Sequence, residues 1–223
     1  MPYGPVNNCQ GKENHLSPSC PLGSRTVIAG QTGCGKTTLA TWLLSQTANH
    51  WIIFNPKWSD SFKKALGEEC NVLRTVEPKA ISNSIEKFKF TVINIPPEFA
   101  DPEQQDLLIK YVHETYRDVG VLVDELYTVH KHGNAGPGLI GLLTRGREFR
   151  QTFLGLTQRP AWVSRFVFSE SGQYGIMRLT MPDDRKKVFE FIGDSQYLIK
   201  VAKYKVKWYS VEDDTTRNFS LRK

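Results

Sequence analysis

The residues Gly30-Gln31-Thr32-Gly33-Cys34-Gly35-Lys36-Thr37, continued by Thr38, satisfy GxxxxGK[ST] in full. They follow the β-branched run "RTVIAG" and precede the helical pattern "GKTTLATWLLSQTA", the context that such a loop requires. Glycines let the backbone curl so that successive N–H groups point inward at phosphate oxygens, and the following helix N-terminus adds partial positive charge. Lys36 is then placed to reach the β- and γ-phosphates of ATP, and the Thr37 hydroxyl to hold Mg²⁺. A glycine turn that merely caps a helix has no need of Lys followed by Thr.

A Mg-nucleotide site needs an acid at the carboxyl end of another buried strand. "VLVDEL" supplies two. Asp124 is the candidate for the Mg²⁺ shell and Glu125 the candidate base that orients and deprotonates an attacking water. The second acid separates a hydrolase from a phosphotransferase, which must avoid activating water. A third apolar run, "TFLGLTQRP", ends at Gln158, whose amide both donates and accepts and can therefore report on the γ-phosphate.

The elements that must position these groups alternate along the chain. Strands are expected at 25–30, 51–54, 71–75, 90–95, 119–125, 152–158 and 174–180, and helices at 35–48, 101–117, 138–150 and 182–192. The alternating segment 204–221, with a turn signal at Asp213–Asp214, is expected to form a hairpin. The run "VGVLV" reads as a strand buried on both faces of a parallel sheet. The expected fold is α/β: a P-loop NTPase with a doubly wound, mainly parallel sheet, helices on both faces and a C-terminal β-hairpin. Residues 1–23, rich in Pro, Asn, Ser and Gly, are expected to be a flexible arm, and 24–223 a single ATPase domain.

Composition excludes several classes. No apolar run approaches the length of a membrane span, and the N-terminus lacks the basic-then-apolar order of a signal peptide, so the expected compartment is the cytoplasm. The four cysteines, at 9, 20, 34 and 70, form no CxxC pair and are expected to be reduced thiols. The net charge is +6, and residues 185–223 hold ten Lys/Arg against five Asp/Glu, a bias shared by solvated faces and nucleic-acid-binding ones.

Taken together, "GQTGCGKTT", "VLVDEL" and "TRGREFRQTFLGLTQRP" resemble the FtsK/HerA superfamily of DNA-pumping ATPases. "IIFNPK" is similar to that superfamily's second strand, which commonly ends Asp-x-Lys, with Asn55 here in place of the acid. The bare domain is similar to the genome-packaging ATPases of membrane-containing, double-jelly-roll viruses such as tectiviruses. The resemblance implies a homo-oligomeric ring, commonly a hexamer, pumping double-stranded DNA, with an arginine finger donated in trans. Arg147 is the first candidate for that finger, Arg145 the second and Arg159 the third. The resemblance further implies DNA contacts from the loop "YTVHKHGNAGPG", through Lys131 and His132, and from Lys203, Lys205 and Lys207. Those last three lysines are equally compatible with docking to capsid vertex proteins, and the expected location is the host cytoplasm or the packaging vertex of the virion. The alternatives are a phage morphogenesis or secretion ATPase, a cellular HerA-like translocase, or a nucleotide-regulated binding module.

Overall fold

Every residue of the run Val119–Val123 is buried, and side chains on neighbouring strands divide by parity between two cores. Val27, Ala29, Ile52 and Phe54 face one core, while Ile28, Trp51 and Ile53 face the other. A period of two with both faces apolar is what a sheet covered by helices on each side demands.

The computed structural model describes residues 5–6, 18–131 and 133–221. Its strands are β1 (Pro5–Val6), β2 (Arg25–Ala29), β3 (His50–Asn55), β4 (Cys70–Leu73), β5 (Phe90–Asn94), β6 (Val119–Val123), β7 (His130–Lys131), β8 (Asn134–Ala135), β9 (Thr152–Thr157), β10 (Gln173–Ile176), β11 (Lys205–Ser210) and β12 (Thr215–Leu221). Its helices are α1 (Lys36–Ser45), α2 (Ser61–Leu66), α3 (Pro78–Lys87), α4 (Pro102–Thr115), α5 (Pro137–Arg145), α6 (Arg165–Ser169) and α7 (Pro182–Ile192).

The main sheet has the order β1-β12-β11-β10-β2-β9-β6-β3-β5-β4. From β10 to β4 all neighbours are parallel; β11, β12 and β1 extend the sheet antiparallel beyond β10. The doubly wound α/β architecture and the terminal hairpin are therefore as expected. Leu39, Leu43 and Leu44 of α1 and Phe62 of α2 pack on one face. Ile81 of α3, Ile109 and Val112 of α4, Leu139 and Leu142 of α5, Val167 of α6 and Val188 of α7 pack on the other.

Local chemistry sets the element ends. Asp101 caps α4 by accepting from the Glu103 N–H at 2.9 Å, with Pro102 in the first turn. Gly120 is required in β6 because a Cβ there would lie 2.3 Å from the Trp51 ring.

Some boundaries differ from expectation. The helix expected over 138–150 ends at Arg145, where successive i→i−3 bonds from Glu148, Phe149 and Arg150 turn the chain into β9. The strand expected over 174–180 stops at Ile176. The carbonyls of Leu179 and Thr180 accept from Arg185 Nη1 at 3.1 and 2.8 Å instead. Helices α2, α3 and α6 were not anticipated. Most of residues 1–23 lies outside the described part. Within it, Pro5–Val6 pairs with Ser220 and Leu221, and Cys20 is buried in the core. Cys20, Cys34 and Cys70 are free and buried; Cys9 lies outside the described residues. Among the described residues no helix is long and apolar enough to cross a membrane.

Candidate active site

Strand β9 lies between β2, which feeds the glycine loop, and β6, which ends at the acid pair. Neighbouring strands are about 4.8 Å apart, so the loop and the acids stand roughly 10 Å apart with the end of β9 between them. That spacing leaves room for the end of a triphosphate and its metal. It also puts Gln158 in the middle.

The loop is held from beneath. Gly30 N–H donates to the Thr157 carbonyl at 3.0 Å and Gln31 N–H to the Arg178 carbonyl at 2.9 Å. Gly33 and Gly35 have φ of +74° and +102°, a conformation open to glycine and costly for other residues. A Cβ on Gly30 would sit 2.7 Å from Cys34 Sγ and 2.8 Å from Met177 Cβ. Cys34 thus points away from the cavity into the core, and burial pushes its thiol pKa up. The Lys36 ammonium curls back to donate to the Gly30 carbonyl at 2.6 Å and the Gln31 carbonyl at 3.2 Å. Burial lowers its pKa, with Glu125 and Asp124 among the groups that oppose the shift.

Asp124 continues the ladder of β6, its N–H donating to the Phe54 carbonyl at 3.0 Å. Glu125 then turns sharply, at φ +62°, and is almost wholly buried. Its Oε1 accepts from Lys57 Nζ and from Gln158 Nε2, while its Oε2 has no partner among the described residues. The Gln158 carbonyl accepts from the Thr32 hydroxyl, which links the loop to the acid through one amide. Lys57 Nζ also lies 3.8 Å from Asp124 Oδ2. Burial raises the pKa of Asp124, and Lys57 is the strongest influence pulling it back.

Lys57 is the site residue that sequence reasoning missed. Its signal was present in "IIFNPK", but attention fell on Asn55. Asn55 is buried and donates to Asn94 Oδ1 at 2.7 Å and to the Ser59 carbonyl at 3.1 Å, so it braces the ends of β3 and β5.

Gly33, Gly35, Lys36, Thr37, Thr38, Lys57, Asp124 and Gln158 line one cavity of about 310 Å³. A second cavity of about 330 Å³ adjoins it, sharing Thr32 and Gln158 and reaching Gln31 and Arg159. The Thr37 hydroxyl and the Asp124 carboxylate are hard oxygen donors facing one space. One carboxylate with substrate phosphates and waters is the donor set Mg²⁺ takes, so these residues fit that ion. No cluster of three or more His, Cys, Asp or Glu able to hold a metal exists among the described residues.

The three candidate arginines differ. Arg159 is engaged: its Nε lies 3.1 Å from Asp184 Oδ2 and its guanidinium covers the Trp162 ring at 4.2 Å. Arg145 is exposed in the last turn of α5. Arg147 is exposed in the turn before β9, and its guanidinium makes no hydrogen bond or ion pair with a described residue. It stands at the opposite end of β9 from Gln158, about 17 Å away by strand rise.

The loop after the acids is ordered as a one-turn 3₁₀ segment, Leu126–Val129, followed by the β7–β8 hairpin. His130 is buried, with Nδ1 2.6 Å from the Leu126 carbonyl, and is not a surface group. The Lys131 backbone belongs to β7, and His132 lies outside the described residues. Lys205 and Lys207 lie on β11. Lys205 is exposed and donates to the Ser220 hydroxyl, and Lys207 donates to the Gln196 carbonyl at 2.8 Å. Lys203 precedes β11, exposed, with Nζ 5.0 Å from the Tyr204 ring centre.

A glycine loop from one buried strand, an acid pair from another and an amide between them define a P-loop nucleoside triphosphatase. The chain is 34% identical, over 171 residues, to the DNA packaging ATPase P9 of Enterobacteria phage PRD1, covering 75% of this chain and 70% of that protein. It belongs to that FtsK/HerA-type family of packaging ATPases. No protein-family model matches the chain. Among solved structures, the genome packaging NTPase B204 of Sulfolobus turreted icosahedral virus 2, in complex with AMPPCP, superposes with a TM-score of 0.69 at 16% identity. That match covers 89% of this chain and 97% of B204. VirB4 of Thermoanaerobacter pseudethanolicus gives a TM-score of 0.65 at 10% identity, covering 89% of each chain.

Proposed function

We propose that this chain is an ATP-hydrolysing motor that moves double-stranded DNA into a preformed viral capsid. The observation that carries the reading is the convergence of Lys36, Thr37, Asp124 and Gln158 on one cavity, with Glu125 buried behind it and bonded to Gln158, in a chain with the identity to P9 given above.

The mechanism follows from where the groups sit. Loop N–H groups and the start of α1 bind the phosphates, and Lys36 exchanges its two loop carbonyls for phosphate oxygens. Mg²⁺, held by Thr37 and Asp124, would neutralise charge on the β- and γ-phosphates. Glu125 takes the proton from the attacking water and must first loosen from Lys57 and Gln158, which now occupy its Oε1. Gln158 touches both the loop through Thr32 and the base, so phosphate binding and base release are coupled through one amide.

Arg147 stands beyond the far end of β9, too distant to reach its own chain's phosphates, exposed and with its side chain unpaired among the described residues. That placement suits a finger given to the next subunit in a head-to-tail ring, which we take to be a hexamer. The β7–β8 hairpin, which carries Lys131 on β7, follows Glu125 after one 3₁₀ turn and is suited to carrying hydrolysis to DNA, with His132 next in sequence as a further contact. Lys203 and Lys205 offer further charge for phosphate contacts that ignore sequence, as a translocase needs. Lys207 is held by Gln196 and is the weaker candidate of the three. We place the motor in the host cytoplasm, docked at the packaging vertex through capsid proteins.

A second reading, an ATPase of secretion or morphogenesis type, has the same site and the same fold. ATP turnover measured with and without double-stranded DNA separates the two. A packaging motor is expected to be stimulated several-fold, with the stimulation lost as salt screens the phosphate contacts. Turnover indifferent to DNA at low salt would favour the second reading.

A further inference from the structure

The cavity at the glycine loop has an aromatic wall that the hydrolytic chemistry does not use. Tyr204 lines it beside Gly35, Thr37 and Thr38, and its Cδ1 lies 3.7 Å from the point where a Cβ on Gly35 would be. The ring comes from the turn that enters β11, on the far side of β10 from β2, whereas Asp124, Glu125 and Gln158 come from the other side of β2. A triphosphate lying across the loop with its γ end toward the acids must therefore run its nucleoside end toward the C-terminal hairpin.

We infer that Tyr204 is the platform on which the base of the bound nucleotide stacks. The inference rests on the reading of this cavity as a nucleoside triphosphate site and adds the subsite for the base. Three further observations support it.

Tyr204 has φ +62°, a conformation that bulky residues seldom adopt and that persists where the surroundings impose it. The surroundings here are the hairpin. The Tyr204 carbonyl accepts from the Leu221 N–H at 2.8 Å, and the Lys205 N–H closes the turn onto the Ala202 carbonyl at 3.1 Å. Underneath, Leu221 and Met177 close on Gly35, their side chains 2.7 and 3.4 Å from the site of a Cβ there, so the hairpin that carries the ring packs directly on the loop. Finally, the ring is half-buried and its hydroxyl makes no hydrogen bond with a described residue. The ring face is what it offers, and every nucleobase has a face to meet it. Lys203, against the same ring, adds positive charge on the nucleoside side of the phosphates.

The test compares two probes by calorimetric titration in the presence of Mg²⁺: ATP, which has a base, and inorganic tripolyphosphate, which has none. Tyr204→Gly removes the ring and suits a positive φ, so the hairpin is kept; Tyr204→Phe keeps the ring. Loss of one base stack is expected to weaken ATP binding by roughly 5- to 150-fold in Tyr204→Gly. Tripolyphosphate binding is expected to stay unchanged, and Tyr204→Phe to match the parent for both probes. An equal loss for both probes in Tyr204→Gly would show that the ring only props the loop, and would overturn the inference. So would no loss for either. A parent protein that binds neither probe would fault the phosphate site itself, an outcome distinct from both.

Discussion

Lys57 is the side chain on which the hydrolytic pair depends. Asp124 and Glu125 are consecutive buried acids, and burial together with the Glu125 charge opposes ionisation of Asp124. Lys57 reaches both, and of the groups acting on Asp124 it does most to offset the rise that burial causes. Replacing Lys57 by Met removes that influence, so Asp124 holds its proton to higher pH. The acid limb of the pH–activity profile is then expected to move upward. Activity should fall most below neutrality and recover toward alkaline pH. A profile of unchanged shape, merely scaled down, would show that Lys57 contributes only to assembly of the site. The phosphate loop was legible because its glycines and lysine are contiguous and each has a local reason. Lys57 was not, because its role exists only once β3 and β6 lie side by side.

At the scale of elements, the junction of α4 with α5 is held by one buried carboxylate. Asp106 of α4 accepts from the Gly138 and Leu139 N–H groups at the start of α5, both at 2.8 Å and both buried. Asp106→Ala leaves two buried donors without a partner, which is expected to cost about 1–3 kcal/mol of unfolding free energy. Chemical denaturation at neutral pH measures it, and a change within error would mean that water replaces the carboxylate. The same scale shows what sequence pattern resolves. Strands β2, β6 and β9 are contiguous apolar runs ended by chemistry-bearing residues, and α4 begins with Asp-Pro, so their positions follow from local rules. Helices α2 and α6 are one or two turns long, and α3 buries only Ile81 and Ser84. Too few apolar repeats exist in such segments to establish a helical period. The glycines of the loop after the acids suggest no regular structure. Gly133 at φ +77° instead closes the turn of the small β7–β8 hairpin.

The whole molecule is a sheet with a catalytic edge and an opposite edge, and the arginine that the resemblance singled out lies at the opposite one. Arg147 at the start of β9 and Gln158 at its end cannot serve the same phosphate within one chain. Arg147→Ala is therefore expected to abolish turnover, and mixing it with Lys36→Ala is expected to restore a fraction, because mixed rings hold interfaces with an intact loop facing an intact arginine. No recovery in rings shown to be mixed would count against a finger given across the interface. Central to the account is the division between holding ATP, done by the loop and Lys36, and cleaving it, done by Glu125. Single-turnover hydrolysis measured beside equilibrium ATP binding in Glu125→Gln tests that division most directly. The expected result is binding close to that of the parent with cleavage slowed by about 10²–10⁴-fold, the usual contribution of a positioned base. Cleavage at the parent rate would contradict the account, since the water would then be activated by some other group.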